Sequence, residues 1–100
     1  MSTRKDSDAA GSGRAVHWLI SGRVQGVGFR FHVRDAAQRH GVRGDVRNLP
    51  DGRVELRAAG GDLEPFLGEV RAGPHGSRVD QVEVRQVVEA LEFDGFEIRF

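Results

Sequence analysis

One hundred residues, 38% of them hydrophobic and 30% charged, are enough for one small domain with a single core. The sequence has no cysteine, which excludes disulfide staples, a thiolate nucleophile and cysteine-ligated metal centres. Formal charge is zero and no apolar run nears the roughly 20 residues of a membrane span, so a soluble, cytoplasmic domain is expected.

Residues 1–13 are small, polar and rich in Gly and Ser; they read as a disordered tail ahead of a domain spanning 14–100. Val16–Ser21 is a short apolar run with β-branched and aromatic members. It predicts a strand, and both its faces are apolar enough for a central position. Gly22 to Gly28 carries three glycines in seven residues and reads as a loop. Phe29, Val33, Ala36 and Ala37 follow the spacing of one helix face, so a helix is predicted over Phe29–His40, stopped by Gly41. Val42–Asn48 is a weaker strand. Leu49-Pro50-Asp51-Gly52 has turn chemistry. Arg53–Ala59 alternates, with Val54, Leu56 and Ala58 on one side and Arg53, Glu55 and Arg57 on the other. Asp62 is the predicted N-cap of a second helix with the stripe Leu63, Phe66, Leu67 and Val70. Pro65 falls in its first turn, where a missing N–H costs nothing, and Gly73-Pro74 ends it. Val79, Val82, Val84 and Val87 mark a further strand, and Phe96, Ile98 and Phe100 alternate in a short last one.

The order β-α-β-β-α-β, with one short strand added, predicts an α+β fold of the ferredoxin-like split βαβ type. In it a mostly antiparallel sheet carries two helices on one face. Such folds host enzymes, RNA binders and regulatory domains, so the chemistry has to be argued from a site. Charge directs the search. Between Arg14 and Arg57 nine arginines face four carboxylates, whereas from Ala58 onward four arginines face nine. An anion site is expected in the first half of the domain.

The segment Gly22 to Arg30, GRVQGVGFR, lies there, between a predicted strand and a helix N-terminus. Its glycines allow backbone N–H groups to turn inward as an anion nest, and the helix end adds free N–H groups and a favourable dipole. Arg30, in the first helical turn, offers a planar fork that can bond two phosphate oxygens. The physical reading is a phosphate or carboxylate cradle, although a Gly-rich strand-to-helix turn also serves tight packing. No Gly-Lys-Ser/Thr follows, so the loop is not of the Walker type, and its glycine spacing is not the dinucleotide fingerprint. His17, His32, His40 and His75 are scattered without an i, i+4 pair, so no metal site is expected. Ser21 and Ser77 have no visible histidine partner, which leaves no candidate serine nucleophile.

From about Val16 to Phe100 the sequence resembles the acylphosphatases. That family has a G-x-V-Q-G-V-x-F-R segment, present here as Gly22, Val24, Gln25, Gly26, Val27, Phe29 and Arg30. A second family segment, G-[aromatic]-V-x-N, corresponds to Gly44-Asp45-Val46-Arg47-Asn48. The spacing of Arg30 from Asn48 fits, as do Gly73, Pro74 and Val79 and the closing Phe96, Ile98 and Phe100. The resemblance implies a small stand-alone acylphosphatase, which hydrolyses acyl phosphates to a carboxylate and inorganic phosphate without metal or cofactor. It implies that Arg30 and Asn48 are catalytic. Phosphate would be held by Arg30 with the backbone N–H groups of Arg23, Val24, Gln25, Gly26, Val27, Gly28 and Phe29. Asn48 would orient the attacking water, because a neutral amide bonds water without repelling phosphate.

The implied ligands are a small acyl phosphate and inorganic phosphate, the latter as product and competitive ligand. A monomer is expected, with neither nucleic acid nor membrane as partner. Two alternatives stand beside this one: a silent anion-binding or regulatory module, and an RNA-binding module of the same fold. The second is disfavoured because Arg53–Ala59 carries no aromatic on which a base could stack. Asp45 departs from the family's aromatic. A carboxylate there is expected to loosen the strand or repel an anionic substrate, and a restored aromatic to stabilise the fold.

Overall fold

The computed structural model describes residues 15–86 and 93–100. The predicted tail and Val87 lie outside these residues. Strand β1 (Ala15–Arg23) leads through a glycine loop into helix α1 (Phe29–His40). Strands β2 (Arg43–Asn48) and β3 (Val54–Ala59) form a hairpin. Helix α2 (Leu63–Ala72), edge strand β4 (Arg78–Arg85) and the short β5 (Phe96–Arg99) complete the fold. The sheet order is β4-β1-β3-β2-β5; every pairing is antiparallel except the parallel β2–β5 edge.

Side-chain alternation fixes which sheet face meets the helices. Trp18 stands opposite Leu56 and Val84, Ile20 opposite Val54 and Val82, and Val46 opposite Leu56. These strand residues join the stripe Phe29, Val33, Ala36 and Ala37 of α1 and the stripe Leu63, Phe66, Leu67 and Val70 of α2 in one core. Both helices therefore cover the same face, the ferredoxin-like α+β arrangement. Phe29 and Phe66 are fully buried, each contributing about 1.5–3 kcal/mol of apolar burial.

The valine strand departs from simple alternation. Ser21 pairs with Gln81, but Gly22 pairs with Val79, so the register slips at Asp80. This bulge brings Val79 and Val82, three apart in sequence, onto the same core. Gly22 permits it: at φ +131° an added Cβ would lie 2.1 Å from the Arg78 carbonyl oxygen. Asp62 occupies the N-cap position of α2, but its side chain makes no capping hydrogen bond. Its backbone N–H instead donates to the His40 carbonyl at 2.8 Å, tying the start of α2 to the end of α1.

Asp45 corrects the expectation of a loosened strand. It is 3% exposed, and the residue opposite it on β3 is Arg57. Arg57 donates to both carboxylate oxygens, at 3.0 and 2.6 Å, and Arg99 approaches within 3.6 Å. This bond to Asp45 raises the Arg57 guanidinium above its ordinary pKa despite partial burial. Asp45 also lies on the sheet face opposite that of Val46 and Asn48, so the sheet separates its charge from the helix side.

Candidate active site

The helix side of the β1–α1 turn holds a cavity of about 220 Å³. Its walls are Val24, Gly26, Gly28, Phe29, Arg30, Phe31 and Asn48. Val24 and Phe29 are buried and form its floor; Arg30 and Asn48 are half-buried; Gly26, Gly28 and Phe31 are exposed at its rim. All seven come from the arginine-rich half of the domain.

Local structure explains the convergence. Gly28 is the N-cap of α1 and takes the left-handed conformation, φ 78°, which favours glycine. The first hydrogen bond of the helix runs from the His32 N–H to the Gly28 carbonyl at 3.0 Å. The N–H groups of Phe29, Arg30 and Phe31 thus have no carbonyl acceptor within their own helix. No acidic residue occupies this first turn. The helix end is therefore electropositive and uncompensated by any carboxylate of its own turn.

Arg30 is held from the far end of the chain. Its Nη1 donates to the Arg99 carbonyl at 2.9 Å, and its Cζ lies 4.7 Å from the centre of the Phe100 ring. Among the described residues it has no carboxylate partner, which leaves its other N–H groups for an external anion.

Asn48 closes the wall at the end of β2, where it pairs with Val54. Its Oδ1 is buried and has no hydrogen-bond partner. Gln25 anchors the glycine loop to the β2–β3 hairpin: its Nε2 donates to the carbonyls of Leu49 and Arg53, both at 2.9 Å. That bond keeps the loop beside Asn48.

Of the residues singled out in the sequence, Val24, Gly26, Gly28, Phe29, Arg30 and Asn48 meet at the cavity. Arg23, Gln25 and Val27 are not among its walls. The Arg23 guanidinium turns away and donates to the Gly76 carbonyl at 3.0 Å. Val27 packs partly buried against the core. Three contributors escaped the sequence reading as site residues: Phe31, Arg99 and Phe100. Phe31 had a visible signal, an aromatic lying off the apolar stripe of α1. The other two had none, since their part depends on a contact across 69 positions. Among the described residues no three His, Asp or Glu side chains gather into a metal-ligating group.

Residues 16–98 match the family model described as Acylphosphatase. An acylphosphatase of Anaeromyxobacter dehalogenans is 52% identical over 87 residues, spanning 82% of this chain and 90% of the relative. One of Archaeoglobus fulgidus is 42% identical over 88 residues, spanning 86% and 98%. The crystal structure of an acylphosphatase from Bacillus subtilis superposes with a TM-score of 0.79 at 34% identity. It covers 86% of this chain and 98% of that one.

Proposed function

This chain belongs to the acylphosphatase family. From that premise we infer that it hydrolyses acyl phosphates to a carboxylate and inorganic phosphate, with Arg30 gripping the phosphate and Asn48 orienting water. The observation that carries the role of Asn48 is its place on the wall of the cavity that also holds Arg30. An amide on that wall can bond a cavity water whose oxygen faces the phosphorus, without repelling the phosphate.

In the reaction the water oxygen bonds to phosphorus as the bond from phosphorus to the acyl oxygen breaks. The departing carboxylate takes that electron pair, and the water proton passes to a phosphate oxygen. A carboxylate is a weakly basic leaving group, so no strong general acid is called for. What remains is charge stabilisation and alignment. The Arg30 fork and the free N–H groups of the helix end provide the first, continued by loop N–H groups from Arg23 to Gly28. Because these groups carry the positive charge, the reaction as proposed uses neither metal nor organic cofactor. The product, inorganic phosphate, competes for the same cradle.

A small molecule rather than RNA fits the remaining surface. On the sheet face away from the helices, His17 and Arg47 both bond Glu55, at 2.8 and 2.6 Å, and Arg57 bonds Asp45. These central positions carry paired charges, not stacking rings. Among the described residues no helix is long and apolar enough to cross a membrane. We place the cysteine-free chain in the cytoplasm.

Purified protein with a chelator present should hydrolyse acetyl phosphate, and Asn48→Ala should lose on the order of a hundredfold in kcat. Intact acetyl phosphate after incubation with the wild type, or near-normal turnover by Asn48→Ala, would overturn the proposal. Phosphate binding without turnover would instead identify a silent anion-binding domain.

A further inference from the structure

The cavity carries one side chain that the phosphate cradle does not use. Its floor and walls are polar groups and buried core, but its rim consists of Gly26, Gly28 and Phe31. Two of these have no side chain, so Phe31 alone shapes the rim. Phe31 is 47% exposed, one of three large apolar residues that the described residues leave at the surface. A second of the three, Phe100, is already engaged by the Arg30 guanidinium. The Phe31 ring is steadied by Arg34, one helical turn on, whose Cζ lies 5.4 Å from the ring centre. Arg34 is itself drawn toward Asp35, at 3.3 Å, which leaves the charge beside Phe31 partly neutralised.

We propose that Phe31, backed by Arg34, is the acyl-group subsite and selects acyl phosphates with an apolar, aromatic or branched acyl group over short ones. The inference rests on the hydrolase reading above. Phosphate is bound at the helix end and Arg30, so the acyl group has to extend toward the mouth. There it meets a ring and bare backbone. An apolar acyl group loses water against Phe31, whereas an acetyl group is too short to gain much from the ring. A cavity of about 220 Å³ is smaller than the roughly 300–1,000 Å³ of sites for drug-sized ligands, so a single ring suits it better than a nucleotide.

The test compares kcat/KM for benzoyl and acetyl phosphate in the wild type, Phe31→Ala and Phe31→Tyr. The benzoyl-to-acetyl ratio should fall about tenfold in Phe31→Ala, the scale of a modest apolar contact in a specificity pocket. In Phe31→Tyr, which keeps the ring, it should stay within about twofold of the wild type. Phe31 is exposed, so neither variant threatens the fold. If both substrates turn over and the Phe31→Ala ratio is unmoved, the subsite is overturned while the hydrolase reading stands. If the wild type turns over neither, both fall together.

Discussion

Arg30 is a surface arginine by position and a site residue by its surroundings. The Arg99 carbonyl and the Phe100 ring restrain its guanidinium without neutralising it, so part of the ordering entropy is met before substrate arrives. Arg30→Gln should therefore weaken inhibition by inorganic phosphate and lower kcat together. Asn48→Ala should lower kcat while inorganic phosphate still inhibits. Measured inhibition constants that move the opposite way would contradict this division. Asp45 shows a different logic. Its side chain is 5% exposed, whereas that of Arg57 is 37% exposed. Asp45→Ala frees a guanidinium that water can reach and should cost about 1–2 kcal/mol. Arg57→Ala strands a buried carboxylate with only the more distant Arg99 and should cost more, about 3–5 kcal/mol. Urea denaturation of both variants checks the ordering. Restoring an aromatic at position 45 would leave Arg57 without its carboxylate, so the stabilisation expected from the family pattern is not expected from this structure.

Two elements meet at a charged junction. Glu69 on α2 accepts from Arg39 at 2.8 and 2.7 Å and bonds His40, both in the last turn of α1. The Arg39 hydrogen bonds, followed by that to His40, hold its carboxyl down from 4.5 to about 2. A carboxyl whose folded pKa is depressed stabilises the fold above its unfolded value. That stabilisation fades as pH falls from about 4.5 toward about 2. Acid unfolding of the wild type and Glu69→Gln should therefore differ above pH 4.5 and converge below it. Curves that stay parallel down to pH 2 would remove the junction from the acid response. The contribution is modest at a surface site and shrinks further with salt.

At the scale of the molecule, both sheet edges look built to avoid pairing with another copy. β5 has four residues, including Glu97 and Arg99, and β4 is bulged and carries Arg78, Asp80, Glu83 and Arg85. Sedimentation should find a monomer; a concentration-dependent dimer would refute that. Much of this architecture was legible in the chain because it rests on local spacing. The apolar stripes of both helices, the Val54–Leu56–Ala58 alternation and the glycine loop ahead of Arg30 are patterns within a few residues, where helix and strand periods act. The two motifs likewise carried Arg30 and Asn48 into one proposed site. What the sequence could not decide were contacts set by register and by chain ends brought together. Asp45 became a paired buried charge only because β2 and β3 align it with Arg57. Val79 and Val82 share a face only through the bulge opposite Gly22. Arg30 received its restraint from how distant segments pack. Short-range patterning is written in neighbouring residues, but which distant atoms come within hydrogen-bond reach is determined by the assembled sheet and helices.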